Sequence, residues 1–421
     1  MYNLAKKLWP IHRSITGIGV NKTLKILKNV NNNLHIKNIK SGTKVFDWEV
    51  PRVWHVKDAW IKNTKGEKLI DIKNNNLHLM GYSVPVDRIF SKKQIFKHLH
   101  YLKNYKEAIP YLNSYYKKNW GFCIKQKQLK LFKDKKYHVK IDSSFKNGYM
   151  KYGEIFLKGK SKKEIFFSTY ICHPSMANNE LSGPCLLIYL SNYIKNLKDR
   201  KLSYRFIFIP ETIGSISYLH KNLAHMKKNL LAGYNVSCVG DDRNFSFLPS
   251  IEGNSYSDFL VKKTLKQLKI KFKTFNWLER GSDERQYCSP GIALPVSSIM
   301  RTKYGNYKEY HTSEDKIGKV LTKKGLKGSF QLYQKIIKNI ESDKMFENIF
   351  LCEPMMGKRN MYKNIDNKKV DIRTENIMNV LAFTNGKRSV LQIADLCKLS
   401  FKEVLIISKL LTKKKVIKNL Y

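Results

Sequence analysis

Residues 165–190 constrain the fold more than any other stretch. Ile165-Phe166-Phe167 is a short apolar run of the kind that forms a buried strand. It leads into Ser168-Thr169-Tyr170-Ile171-Cys172-His173-Pro174-Ser175-Met176-Ala177-Asn178-Asn179-Glu180-Leu181, a loop rich in polar groups. Ser182 and Pro184 then read as the cap and first turn of a helix that continues through residues 185–190. His173 and Glu180 therefore belong to a strand-to-helix loop, the place where open α/β sheets hold their ligands.

The pattern repeats downstream. Residues 202–209 form an apolar strand ending at Pro210-Glu211, followed by a helix around 216–223. Residues 231–239 form another strand ending at Gly240-Asp241-Asp242. An amphipathic helix is expected over 255–269, with Phe259, Leu260, Leu265 and Leu268 on one face, and a buried strand over 294–300. Strands alternating with helices predict an α/β three-layer sandwich with a mostly parallel central sheet.

The flanks have a different texture. Residues 1–44 read as one or two helices around Leu24-Lys25-Ile26-Leu27, preceded by Arg13-Ser14-Ile15-Thr16-Gly17-Ile18-Gly19. Those glycines predict a backbone turn, but no phosphate-loop pattern completes them. Trp48, Trp54, Trp60 and Trp120 are scattered among short alternating segments with a turn at Lys65-Gly66, which predicts an inserted β-rich domain over 45–124. The main domain is then 1–44 with 125–345. Beyond it, Ser389 with Gln392 and Ser400 with Glu403 are capping boxes opening two helices after the Asn385-Gly386 turn. With a closing strand at Val416-Ile417, residues 346–421 read as a winged helix-turn-helix.

Composition sets limits on function. No apolar stretch reaches the length of a membrane span, and the N-terminal residues lack the apolar core of a signal peptide, so no membrane partner and a cytoplasmic location are expected. The formal charge of +46 is spread from end to end with abundant Lys, Asn and Ile, which favours compositional drift over a nucleic-acid surface. The second helix of the C-terminal pair offers Lys402 and Lys409 but no Arg, Asn or Gln for reading bases, so specific DNA binding is the less favoured role. A homo-oligomer is compatible with the sequence. The seven cysteines form no CxxC pair. A catalytic thiol at Cys172 is weaker than a metal reading of its neighbour His173.

If the strands are right, His173 and Glu180 follow the first, Glu211 the second, Ser237, Asp241 and Asp242 the third, and Tyr310-His311-Thr312-Ser313-Glu314-Asp315 the last. Two histidines and a carboxylate on separate sheet-edge loops suit a catalytic zinc with an open position, and a further carboxylate suits a general base. Ser182-Gly183 after the acidic loop, Glu211 with Gly214, Gly281-Ser282-Asp283-Glu284, and Tyr310-His311-Thr312-Ser313 with Asp315 together resemble the M28-like zinc aminopeptidases. More closely, the chain resembles bacterial aminopeptidase-like-domain proteins associated with polysaccharide biosynthesis, through Asp47-Trp48-Glu49-Val50-Pro51, Leu77-His78-Leu79-Met80-Gly81-Tyr82-Ser83-Val84-Pro85, Trp120-Gly121-Phe122-Cys123 and, above all, the run from His173 to Pro184.

The resemblance implies a zinc-peptidase domain with a small insertion and a C-terminal winged helix. It implies His173 and His311 as metal ligands and Glu211 as the base. It also exposes departures: Asn179 stands where a bridging aspartate is expected, Thr212 where a metal-binding glutamate is expected, and Ser237 near a further metal aspartate. One zinc ion is therefore expected, held by His173, Glu180 and His311. Asn179 is a poor neutral alternative through its carbonyl oxygen, and Glu211 is a fourth ligand if Glu180 points away. Arg280, Asp283, Glu284, Arg285, Arg301 and Tyr310 are candidates for binding substrate. The implied reaction is hydrolysis of an amide in a peptide or an acylated amino sugar. The alternative is a degenerate site in a binding or regulatory protein that uses its winged helix.

Overall fold

The computed structural model describes residues 1–359, 361 and 372–420. They fall into two compact units, one built of residues 1–158, 162–198 and 203–335, the other of 159–161, 199–202 and 336–421.

An eight-stranded sheet runs through the first unit. Four adjacent strands at its centre, Ser203–Ile209, Glu164–Tyr170, Leu230–Asn235 and Val296–Met300, are mutually parallel. His35–Lys40 and Tyr149–Leu157 continue the sheet antiparallel on one side. Ser246–Leu248 and Lys273–Thr274 complete it on the other. Glu164–Tyr170 is buried along its whole length, as a strand covered on both faces must be. The chain leaves this strand to form its neighbour on one side, Ser203–Ile209, and then crosses to form its neighbour on the other, Leu230–Asn235. This reversal opens a crevice at the C-terminal ends of the strands.

Ser182–Lys195 is the expected helix, but Ser182 lies inside it rather than capping it. A single π turn, Ala177–Leu181, precedes it, and the Ser182 hydroxyl is bonded to the carbonyl of Asn178 while accepting from the amide of Val239 at 2.9 Å. Gly183 explains how close this turn sits to the sheet: a Cβ there would stand 2.2 Å from Thr169 Oγ1 and 2.4 Å from the carbonyl oxygen of Val236. The helix after the second strand is longer than read from sequence, Ile213–Asn229, because its polar C-terminal half lies at the surface where apolar periodicity is weak. Tyr256–Gln267 buries Leu260, Val261, Thr264 and Leu265, whereas Leu268 is 40% exposed. Of the expected apolar face, Leu260 and Leu265 are buried and Phe259 is half-buried, and Leu268 alone departs because it falls at the C-cap.

The β-rich insertion is a four-stranded antiparallel sheet in the order Lys68–Asp71, Val53–Lys62, Lys136–Lys146, Val86–Ser91. The Lys65-Gly66 turn joins the first pair, with Gly66 at φ +82°. The third strand lies beyond the expected limit at residue 124, so the range 45–124 stops short of this sheet. The alternating segment 136–146 pairs with Val53–Lys62 and Val86–Ser91 and with nothing in the large sheet.

The second unit carries a three-stranded antiparallel sheet, with Met345–Asn348 between Asn385–Ser389 and Ile417–Asn419. Its helices are Ile372–Phe383, Val390–Leu396 and Phe401–Lys413, and both expected capping boxes form, at Ser389 and Ser400.

Candidate active site

The crevice collects side chains from three strand ends. His173 follows Glu164–Tyr170, Glu211 follows Ser203–Ile209, and His311 lies in the loop after Val296–Met300. They line a cavity of about 280 Å³ together with Tyr111, Thr212 and Arg285.

His173 is 4% exposed, and its two ring nitrogens face different surroundings. Nδ1 lies 2.9 Å from Glu180 Oε2, and Nε2 lies 3.6 Å from Glu211 Oε2. Burial opposes a charge on this ring, but the negative character of Tyr111 and Cys172 and the hydrogen bonds to Cys172 and Glu180 hold its pKa well above the usual histidine range. Behind Glu180 stands Arg13. Its Nε donates to the carbonyl of His173 at 2.9 Å and lies 3.5 Å from Glu180 Oε1, with both side chains fully enclosed. Burial lowers the pKa of Arg13, and the Glu180 charge opposes that shift.

Glu211 receives a hydrogen bond on Oε1 from Ser282 Oγ at 3.1 Å. Burial raises its pKa, while His173 and Arg285 pull it down. The next residue, Thr212, has φ +64°, a strained backbone for a β-branched side chain. Asp283 holds that turn, accepting the Thr212 amide and the Ser215 hydroxyl at 2.8 Å each. Burial, and then the Glu211 charge, push Asp283 up to about 7.

His311 also has positive φ, +53°, and its ring stacks on Tyr310 at 3.9 Å. Its centroid is 5.5 Å from that of His173, with Tyr111 packed against both rings. Burial and the neighbouring His173 charge lower its pKa to about 3, so it stays a neutral imidazole, the form that binds metals.

The expected zinc set is therefore only partly assembled. Among the described residues, the only group of three possible ligands with donor atoms within 4.8 Å of one another is Cys172, His173 and Glu180, without His311. Asn179 spends its carbonyl oxygen on the Tyr170 hydroxyl at 2.9 Å. Burial pushes the Cys172 thiol up to about 11, which leaves it unsuited to nucleophilic work.

Several expected substrate contacts are structural instead. Glu284 is enclosed, accepting from the amides of Gly281 and Ser282, from Tyr304 and from Asn235. Arg280 packs over Trp277, and Arg301 packs over Phe245; neither lines the cavity. Asp283 supports the backbone after Glu211, and Tyr310 supports His311. Arg285 does line the cavity, with its guanidinium 2.9 Å from Thr212 Oγ1. Sequence reading missed Arg13 and the aromatic wall of Trp48, Tyr111, Tyr115 and Tyr116. The density of tyrosines over 111–116 was the available signal.

The family model described as "Domain of unknown function (DUF4910)" matches residues 2–343. The chain belongs to the DUF4910 family. A winged helix-turn-helix model matches residues 344–419, and the three-stranded sheet with its helices agrees. A Clostridium acetobutylicum protein, named for polysaccharide biosynthesis with an aminopeptidase-like domain, is 43% identical over 406 residues, covering 96% of this chain and 92% of its own. A crystal structure of a peptidase-like protein from the same organism superposes with a TM-score of 0.83 at 41% identity, covering 100% of this DUF4910 chain and 96% of the other. A zinc aminopeptidase from Bacillus subtilis superposes with a TM-score of 0.59 at 14% identity, covering 80% of this chain and 93% of its own, which establishes the fold alone. This DUF4910 protein thus has the aminopeptidase-like fold. The fold and the names of its relatives support a peptidase-like hydrolase.

Proposed function

We propose that this DUF4910 protein hydrolyses an amide bond with the help of one zinc ion held by His173, Glu211 and His311. The supporting observation is the orientation of His173. Glu180 engages Nδ1, which leaves Nε2 toward the cavity and 3.6 Å from a Glu211 oxygen, a separation suited to two ligands sharing an ion. A carboxylate on the far nitrogen of a histidine is the usual support for a metal ligand. The neutral His311 ring lines the same cavity and is the third donor, but its nitrogens lie beyond 4.8 Å of at least one of the other two, so this ring has to turn inward to complete the set. The alternative set of Cys172, His173 and Glu180 fits zinc poorly, because the Arg13 guanidinium already stands against Glu180 and the thiol resists ionisation.

Zinc at such a donor set supplies Lewis acidity toward a carbonyl oxygen and toward water. The protein's own groups do the rest. Glu180 and Arg13 fix the His173 ring and its backbone. Ser282 fixes Glu211, and Asp283 fixes the turn behind it. Glu211 is the only carboxylate among the described residues lining the cavity, so accepting a proton from the attacking water also falls to it. Arg285 provides a positive charge for an acidic group on the substrate, and Trp48, Tyr111 and Tyr116 offer surfaces for a sugar ring or apolar side chain. The polysaccharide context of the Clostridium relative favours an acylated amino sugar over a peptide.

Metal analysis of purified protein, with parallel assays on an N-acetylated amino sugar and an aminoacyl anilide, tests the proposal. One equivalent of zinc and hydrolysis of either amide are expected; protein that neither contains nor takes up zinc refutes it. The neutral residues Asn179, Thr212 and Ser237 at expected ligand positions favour a second reading, a pocket that binds such amides without cutting them. Substrate retention without turnover in zinc-loaded protein would select it.

A further inference from the structure

The short hairpin of Lys44–Val45 and Trp48–Glu49 turns through two residues, Phe46 and Asp47. Two-residue hairpin turns need positive φ, a place normally taken by glycine or asparagine. Here Phe46 takes it, at φ +54°. A bulky side chain at such an angle is strained. Burial does not offset the strain, because Phe46 is 54% exposed. The ring is nevertheless held: it stands edge-on to the exposed His220, with centroids 5.1 Å apart. Strain, exposure and a fixed ring together call for a role outside the core.

The place of this ring suggests that role. Two residues on, Trp48 is 37% exposed and lines the active-site cavity. Tyr116, 56% exposed, lines it as well and stands edge-on to Trp48 at 5.4 Å. Thr212 and Ile213, at the start of helix Ile213–Asn229, form another part of the lining. His220 is seven residues beyond Ile213, so it shares that face of the helix and lies about 10 Å further along it. Exposed aromatic surface therefore continues from the cavity at Trp48 and Tyr116 to a second position at Phe46, over His220. At about 280 Å³ the cavity lies at the lower end of small-ligand sites, so a longer substrate has to continue outside it.

These rings suit a sugar better than an acyl chain. An acyl chain gains by enclosure, which rings this exposed do not give. A sugar packs its C–H face on an aromatic ring while its hydroxyls stay in water or bond to polar neighbours. The exposed Asp47, and Lys44 paired with Glu49 across the hairpin, are such neighbours.

We propose that the substrate is an oligosaccharide, with its acylated amino sugar in the cavity against Trp48 and Tyr116 and a further sugar of the same chain stacked on Phe46. This rests on the amide-hydrolase reading of the cavity and names the class of molecule that carries the amide.

The test is tryptophan-fluorescence titration of the full chain, with Trp48 as the reporter in the cavity, against N-acetylglucosamine, its chitin-type dimer and trimer, and trialanine. The sugars are neutral, so the charge of +46 contributes nothing to their binding. The trimer should bind about tenfold tighter than the monosaccharide, the gain that one stacked ring supports. Phe46→Gly should abolish that gain, and Phe46→Tyr should keep it. Glycine is the residue this turn favours, so Phe46→Gly preserves the hairpin. Equal affinity at all lengths, a gain with trialanine instead of the sugars, or a gain that survives Phe46→Gly overturns the proposal. So does a gain lost in Phe46→Gly together with a lowered urea midpoint, which would make the ring a support of the hairpin. Failure of the protein to take up zinc or to cut an amide refutes the hydrolytic reading and leaves the length dependence standing. Active, zinc-loaded protein that binds all lengths equally refutes this inference alone.

Discussion

Replacing Arg13 with methionine perturbs the candidate site from behind, since Arg13 does not itself line the cavity but holds the backbone of His173, which does. The guanidinium donates to the carbonyls of His173 at 2.9 Å and Leu8 at 2.7 Å, and it faces Glu180 at 3.5 Å with neither side chain exposed. Removing one partner of a buried ion pair costs about 3–5 kcal/mol, because the other charge is left enclosed. Here the His173 hydrogen bond to Glu180 remains, so the lower end applies, about 3 kcal/mol. All six tryptophans lie within residues 1–335, so urea unfolding followed by tryptophan fluorescence reports on the unit that holds the pair. With a slope of about 3 kcal/mol per molar, the midpoint falls by roughly 1 M. Glu180→Gln should cost a similar amount. The double variant should lose about 2 kcal/mol less than the sum, since neither charge is then stranded. A midpoint shift for Arg13→Met below about 0.3 M, or strict additivity of the two substitutions, would refute the reasoning.

Metal uptake separates ligands from their supports. His173→Ala and His311→Ala should abolish zinc binding, while Glu180→Gln should retain one equivalent with affinity weakened about 10- to 100-fold, as measured by competition with a chelator. Asp315, enclosed and accepting the amides of Asn178 and Asn179, is pushed up to about 7, chiefly by burial. A raised carboxyl contributes stability that is complete below its unfolded value near 4 and is lost as pH rises through 7. Asp315→Asn should therefore flatten the fall in stability between pH 4 and 7 by up to about one proton's worth of slope, read from urea midpoints across that range. The exposed face of Phe401–Lys413 presents Lys402, Glu403, Ile406 and Lys409. DNA binding should therefore be sequence-independent and fall by about 10³-fold or more between 50 and 200 mM salt, measured by fluorescence anisotropy.

The central strands were legible because burial on both faces leaves continuous apolar runs, as in residues 165–167 and 206–209. Capping boxes at Ser389 and Ser400 were legible because their chemistry is local. The strand Lys136–Lys146 was harder to assign to a sheet, since pairing partners such as Val53, opposite Lys146, are remote in sequence and leave no trace in its own alternation. The candidate site shows the same division. His173, Glu211 and His311 could be named from their places at strand ends, and they meet at one cavity. The direction of Glu180 could not be read, because it depends on one π turn and on a cation from the far end of the chain. Arg280, Glu284 and Arg301 have the right charges in the right loops, but aromatic stacking and backbone amides claim them.

That distant cation also bears on the order of synthesis. Arg13 precedes its partner His173 by 160 residues, so at about 5–20 residues per second it leaves the ribosome roughly 8–30 s before the loop it will enter. During that wait the guanidinium stays hydrated and costs nothing. When Glu180 emerges, its counter-charge is already present, so the carboxylate has a partner in hand before the crevice closes over it.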